Sequence, residues 1–202
     1  MGLFYTNLVV YGGSRKVLST RKALSHTLRR LRRTAFISRT YRGYVAVFDR
    51  ANDEQDFDDI EQLGRDVTAA LTCSALAAAL HDDDVLYLWL FRDGQLLDCY
   101  DSLPGYFDPE AEPGPPSGGS GELLCQVFER RGHEEQVERL LRANLLDGEL
   151  PEIGGELERH AAIVRELKMP LFLAGVGYAA IAGGYVPEEF SGIPFDAVHP
   201  RK

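Results

Sequence analysis

The sequence predicts an α+β fold, a mainly antiparallel sheet with helices on one face in the order βαββαβββ, followed by a small C-terminal helical region. Three observations carry this. The first is a hairpin at Asp93-Gly94 between two apolar runs, since Asp followed by Gly supplies the positive φ that both central positions of a type I′ turn need. The second is a pair of helix-period segments interleaved with strand-like ones. The third is a break in composition over 108–121, DPEAEPGPPSGGSG, where Pro restricts helix and ladder pairing and Gly and Ser raise chain entropy. That break divides the chain into a sheet domain (1–107), a linker (108–121) and a helical region with an extended tail (122–202).

Leu3 to Tyr11 reads as the first strand, rich in aromatic and β-branched residues and ended by Gly12-Gly13-Ser14. A helix follows on the stripe Leu24, Leu28 and Leu31, with Ser19 or Thr20 as its N-cap. Ala35 to Ser38 and Tyr44 to Phe48 form a second hairpin across Arg39 to Gly43. The next helix carries Phe57, Ile60, Leu63, Val67 and Leu71 on one face, and its early acids suit the positive end of the helix dipole. Ala75 to Leu80 is then a strand, pairing with 85–91 across Asp82-Asp83-Asp84.

In 85–91, Val85, Tyr87, Trp89 and Phe91 share one face and Leu86, Leu88 and Leu90 the other. Both faces are apolar, which places this strand inside the sheet with cover on each side. A two-residue loop pairs Arg92 with Gln95, Phe91 with Leu96, Leu90 with Leu97, Trp89 with Asp98, Leu88 with Cys99 and Tyr87 with Tyr100. Beyond the linker, Leu123 to Phe128, Val137 to Leu141, Ile153 to Met169 and Pro170 to Ala182 read as helices. The last is apolar nearly all round and therefore buried against the sheet or a partner. The tail from Pro187 to Lys202 is an expected extended strap.

No run of the 202 residues approaches the roughly 18 apolar residues of a membrane span. No signal-peptide order opens the chain, and the expected location is cytoplasmic. Met1 to Thr6 fits the bare N-myristoylation pattern, but two aromatics in that run favour an ordinary strand start. Cys73, Cys99 and Cys125 show neither CxxC nor metal-ligand spacing and read as reduced thiols.

The net charge of −9 conceals a polarity. Residues 1–50 hold eleven Lys or Arg against one acid, Asp49, a balance of +10, whereas 51–202 hold eleven bases against thirty acids, a balance of −19. The basic surface comprises Arg21, Lys22, Arg29, Arg30, Arg32 and Arg33. With Tyr41 and Tyr44 nearby it offers contacts to nucleic-acid phosphates. An isoelectric point near 5.1 disfavours that partner, and the competing expectation is docking against acidic residues of the same chain or of a second copy.

The densest group of candidate site residues lies in His81 to Tyr106. His81, Asp82, Asp83 and Asp84, with Asp98 and Asp101, offer oxygen ligands to Mg²⁺ or Mn²⁺ and a histidine for proton transfer, the basis of an alternative reading as a metal-dependent hydrolase or transferase. Against it, consecutive strand residues point to opposite faces, and a solvated Asp-rich turn is the simpler expectation. Tyr100, Tyr106 and Phe107 line a small-molecule cleft or close the core. Gly12 to Lys16 lacks the spacing of either phosphate-binding glycine motif. His133 and His160, in acidic helical segments, are expected at the surface. The sequence holds no GxSxG, no HExxH and no zinc knuckle, so it implies no cofactor. The reading that remains is a non-enzymatic interaction protein whose partner is another protein or a second copy, one specific form being an immunity- or antitoxin-type protein with an acidic surface.

Overall fold

The computed structural model describes residues 3–12, 17–186 and 195–200. Its centre is one eight-stranded sheet built from β1 (Tyr5–Tyr11), β2 (Ala35–Ile37), β3 (Tyr44–Asp49), β4 (Ser74–His81), β5 (Val85–Arg92), β6 (Gln95–Asp101), β7 (Ser117–Gly118) and β8 (Asp196–Val198). The strand order is β7-β6-β5-β4-β1-β3-β2-β8, and every pairing is antiparallel. The fold is α+β, with α1 (Val17–Arg30) and α2 (Phe57–Leu71) placed so that residues 5–101 run βαββαβββ.

Both helices lie on one face, where Leu24, Leu28, Ile60, Leu63 and Val67 meet Leu8, Val10, Val45, Val47, Ala75, Ala77, Trp89 and Phe91. On the other face Val9, Tyr44, Phe48, Leu76, Leu86, Leu88 and Leu90 are covered by α3 (Gly121–Val127), α4 (Glu134–Arg142), α5 (Glu156–Glu166) and α6 (Tyr178–Ala182). Period-2 alternation therefore sends the two apolar faces of β5 into two separate cores. A strand apolar on both sides needs that arrangement, because burying a large side chain contributes about 1.5–3 kcal/mol.

Local chemistry sets the boundaries. Asp56 caps α2 by accepting from the backbone N–H of Asp58 and Asp59 at 3.0 and 3.3 Å. Asp93 (φ 51°) and Gly94 (φ 83°) both adopt left-handed conformations, as a type I′ turn requires. The β4–β5 turn does the same with Asp82 (φ 58°) and Asp83 (φ 65°), closed by Asp84 N donating to His81 O at 3.0 Å. Asp is among the few L residues that tolerate this region.

Several sequence expectations are corrected. The β5–β6 register follows the expected pairing only at Arg92–Gln95 and Phe91–Leu96, then shifts, so that Leu90 faces Asp98, Trp89 faces Cys99, Leu88 faces Tyr100 and Tyr87 faces Asp101. Leu97 is the extra residue of a β-bulge, and such an insertion exchanges the faces of everything beyond it. The predicted helix over 170–182 is instead a 3₁₀ turn at Leu171–Leu173 and the short α6, separated by Gly175 at φ 99° and Gly177. α5 starts at Glu156, not at Ile153, and α1 starts at Val17, ahead of Ser19 and Thr20. Residues 13–16 and 187–194, which include most of the Gly12 to Lys16 segment and the first half of the expected strap, lie outside the described residues. The second half of the strap supplies β8, paired with β2.

Candidate functional site

The turn Asp82–Asp84 divides one end of the sheet into an aromatic surface and an acidic cleft. His81 closes β4, and its Nδ1 lies 2.7 Å from Gln55 Oε1. Gln55 Nε2 donates to the Leu80 carbonyl at 2.7 Å, so its Oε1 faces the imidazole and accepts from the Nδ1–H of His81. Phe4 meets the imidazole edge-on at 4.6 Å between centroids, Phe107 at 4.9 Å and Tyr106 at 5.7 Å. Beneath them Phe107 touches Tyr87 and Phe57, which continue to Trp89. Phe4 is 50% and Phe107 53% exposed, so the outermost rings of this stack stand in water.

Tyr106 joins the two halves, donating its hydroxyl to Asp84 Oδ2 at 3.1 Å. Beyond it lies a cleft of about 190 Å³ lined by Asp83, Asp84, Ser102, Leu103, Asn144 to Leu146 and Gly154 to Glu156. Asp83 reaches from the turn to cap α5 from outside: its Oδ1 accepts the Leu157 N–H at 2.6 Å and its carbonyl the Glu156 N–H at 3.4 Å. The helix's own N-cap, Gly155, has no side chain for the task, and a Cβ there would lie 2.9 Å from Asp83 Oδ2.

At the floor of the cleft α5 carries a buried polar group. Glu156, Arg159 and His160 are 5%, 0% and 1% exposed. Arg159 donates to the Tyr100 hydroxyl and to the Ala143 carbonyl, the latter at 2.7 Å. Its Nε lies 3.1 Å from Glu156 Oε2, yet the two are misaligned and neither makes a hydrogen bond. Desolvation pushes the Glu156 carboxyl up to about 7, opposed by Arg159 and by a hydrogen bond from Ser102 and reinforced by the charges of Asp83 and Asp101. Burial alone lowers His160 to about 4, so its neutral ring accepts at Nδ1 from the Tyr5 hydroxyl 2.7 Å away. The expectation that His160 is a surface residue is therefore wrong. Its phase explains why: Glu156, Arg159, His160, Ile163, Val164 and Leu167 recur at helical spacing on one stripe, and the apolar members are core. Polar residues in the phase of an apolar stripe are the signal that finds this group.

The other candidates fall elsewhere. The bulge turns Asp98 toward the C-terminal helices, where Oδ1 accepts from the Gly119 N–H at 3.2 Å. Tyr100 closes the core under Arg159, with burial pushing its phenol pKa up, and is separate from the exposed rings of Tyr106 and Phe107. Asp101 accepts from the Leu103 N–H at 2.9 Å, and burial raises its pKa. Among the described residues no three His, Cys, Asp or Glu groups are placed to hold a metal ion. Cys99 and Cys125 both have raised thiol pKa values, Cys125 up to about 11 through burial, the opposite of an activated nucleophile. His133 is half-buried, its Nδ1 2.7 Å from Glu166.

On the basic surface, Arg33 grips Asp59 with two bonds of 2.6 Å and reaches Asp49 at 3.4 Å, and Arg21 pairs with Asp196 of β8. Lys22, Arg30 and Arg32 are exposed and Arg29 partly so. The adjoining cleft of about 470 Å³ mixes Arg32, Arg33 and Arg50 with Asp49 and Glu54, so its walls repel a polyanion as well as attract it. Among the described residues no helix is long and apolar enough to cross a membrane. No protein-family model, no curated protein and no solved structure matched this chain when it was compared with each.

Proposed function

We propose that this protein is a non-enzymatic interaction module whose docking surface is the sheet end around His81. The observation that supports this reading is the pair of large rings, Phe4 and Phe107, half in water and both packed edge-on against one imidazole. Burying such rings at an interface is strongly favourable, and aromatic residues are the usual anchors of one. The exposed carboxylates of Asp82, Asp83 and Asp84 stand beside them, so the fitting partner is a protein that offers an apolar pocket rimmed by Lys or Arg. The −19 balance of residues 51–202 steers such a partner inward. An immunity- or antitoxin-type protein, which neutralises a basic partner through complementary fields, is the specific form this reading takes.

The test is capture from native lysate at low and moderate salt with the natural chain and with the double variant Phe4→Ser/Phe107→Ser, both checked for folding. A discrete protein retained by the natural chain at moderate salt and lost by the variant is the expected result. Identical captures by the two, or none by either, would remove the reading. Light scattering on the purified chain separates a second copy from a different partner.

A further inference from the structure

We propose that the surface around His81 is selective for arginine: a guanidinium of the partner stacks on the outer face of Phe107 and bonds to the carboxylates of Asp82 and Asp84. The site belongs to the docking surface proposed above, so it rests on that reading, and it specifies which group of the partner that surface takes.

Three rings at this end of the sheet form a near-parallel series. Trp89 and Tyr87, two residues apart on one face of β5, lie at 24° with centroids 5.8 Å apart, and Phe107 continues the series at 12° to Tyr87 and 6.2 Å from it. Trp89 is 7% exposed and Phe107 53%, so the series starts in the core and ends in water. Phe107 therefore turns one face toward Tyr87 and the other outward. His81 and Tyr106 stand at 85° and 83° to it, with centroids 4.9 and 5.0 Å away. A planar group is the shape that extends such a series.

The charge beside the ring requires that group to be a cation. Asp82 and Asp84 are exposed, and among the described residues neither belongs to an ion pair. Asp84 accepts the Tyr106 hydroxyl through one oxygen, and a carboxylate has roughly four lone-pair positions. Burial, the hydrogen bond to Asp84 and the charges of Asp84 and Asp82 push the Tyr106 phenol up, so both carboxylates act at this ring pair. The face of an aromatic ring is the negative end of its quadrupole, so ring and carboxylates attract a cation together. Arginine meets both demands. Its guanidinium is planar, sheds water more readily than an ammonium and carries five N–H donors in its own plane, so its face can stack while its edge bonds carboxylate oxygens. Lysine's ammonium is a compact, strongly hydrated charge with no face to stack. This chain already makes one such contact, with the Arg42 guanidinium 5.1 Å over the Tyr41 ring.

The experiment is titration of Nα-acetyl-arginine methylamide into the ¹⁵N-labelled chain at constant ionic strength, followed by amide shifts. The lysine analogue and the citrulline analogue, a neutral isostere of arginine, serve as comparisons. Saturable shifts at 82–84 and 105–108 are expected with arginine, which should bind roughly two- to fivefold tighter than lysine, the size of one exposed cation–π contact. Citrulline should give no saturable shifts. Phe107→Leu, which keeps an apolar side chain at a half-exposed position, should abolish the preference for arginine, and Phe107→Tyr should keep it. Asp84→Asn, on the exposed turn, should weaken arginine binding by a similar factor. Lysine binding as tightly as arginine, saturable binding of citrulline, or a preference that survives Phe107→Leu overturns the proposal. The two failures are separable: an empty capture from lysate removes the docking reading, whereas this titration needs no partner and removes the arginine alone.

Discussion

Glu156 and His160 sit one helical turn apart in the same buried stripe and titrate in opposite senses. The folded state holds the Glu156 proton more tightly than the unfolded chain does, so this group stabilises fully below about 4.5 and loses its contribution as pH rises through about 7. His160 refuses a proton that the unfolded chain accepts, so its contribution is complete above about 6.5 and is lost as pH falls toward about 4. Between those limits the two slopes offset each other. Glu156→Gln removes the Glu156 slope and keeps the histidine one, so the stability of the variant relative to the natural chain should rise with pH from about 4.5 to 7 and stay level above. Urea midpoints across that range measure this, and parallel profiles for the two proteins would contradict it. Asp49, Asp53 and Asp101 also have raised pKa values through burial, but they are common to both proteins and cancel in the difference.

The strands and helices of residues 5–101 were legible because their signals are local: an Asp-Gly turn, period-2 alternation and two apolar helical stripes. What was illegible depended on distant residues. Leu97 bulges without any local glycine or proline to announce it, and only the match of Tyr100 to Arg159 and of Asp98 to Gly119 shows what it serves. Remote capping is equally silent in sequence. Gly177, like Gly155, opens its helix with no side chain, and Asp53 supplies the acceptors, bonded to the N–H groups of Tyr178 and Ala179 at 3.1 and 2.8 Å. Gly64 shows the same dependence within α2, where an added Cβ would overlap the fully buried Phe91 ring. Replacing that glycine with alanine gains about 1 kcal/mol of helix propensity, but overpacking a rigid ring costs about 1–3 kcal/mol. Gly64→Ala should therefore lower Tm by a few degrees, and a rise in a calorimetric scan would show that α2 yields more easily than the packing implies.

At the scale of the whole molecule, the C-terminal helices complete what the sheet begins. One face of the sheet is finished by α1 and α2, while the other is finished only by residues beyond the Pro- and Gly-rich stretch, which itself adds β7 to the sheet. Polar ties cross the same boundary: Asn7 Nδ2 donates to the carbonyls of Leu173 and Val176 at 2.8 and 3.0 Å, and the Tyr44 hydroxyl to that of Leu167 at 2.9 Å. A fragment of residues 1–107 would expose Val9, Tyr44, Phe48, Leu86, Leu88 and Leu90 together, a patch larger than soluble monomers present. It should bind a hydrophobic dye and aggregate; a monodisperse, cooperatively melting fragment would show that the sheet and α1 and α2 are sufficient alone.

The two outermost strands, β7 of two residues and β8 of three, have a consequence for assembly. β7 pairs with only Tyr100 and Asp101, so Gln95 to Asp98 form that border of the sheet, and the bulge at Leu97 interrupts the flat row of backbone N–H and C=O groups that another chain would need as a template. Strand addition at the β6 border is thereby disfavoured. Recognition of the partner proposed above would then rest on side chains, so single substitutions should be able to switch it off without disturbing the scaffold that displays it.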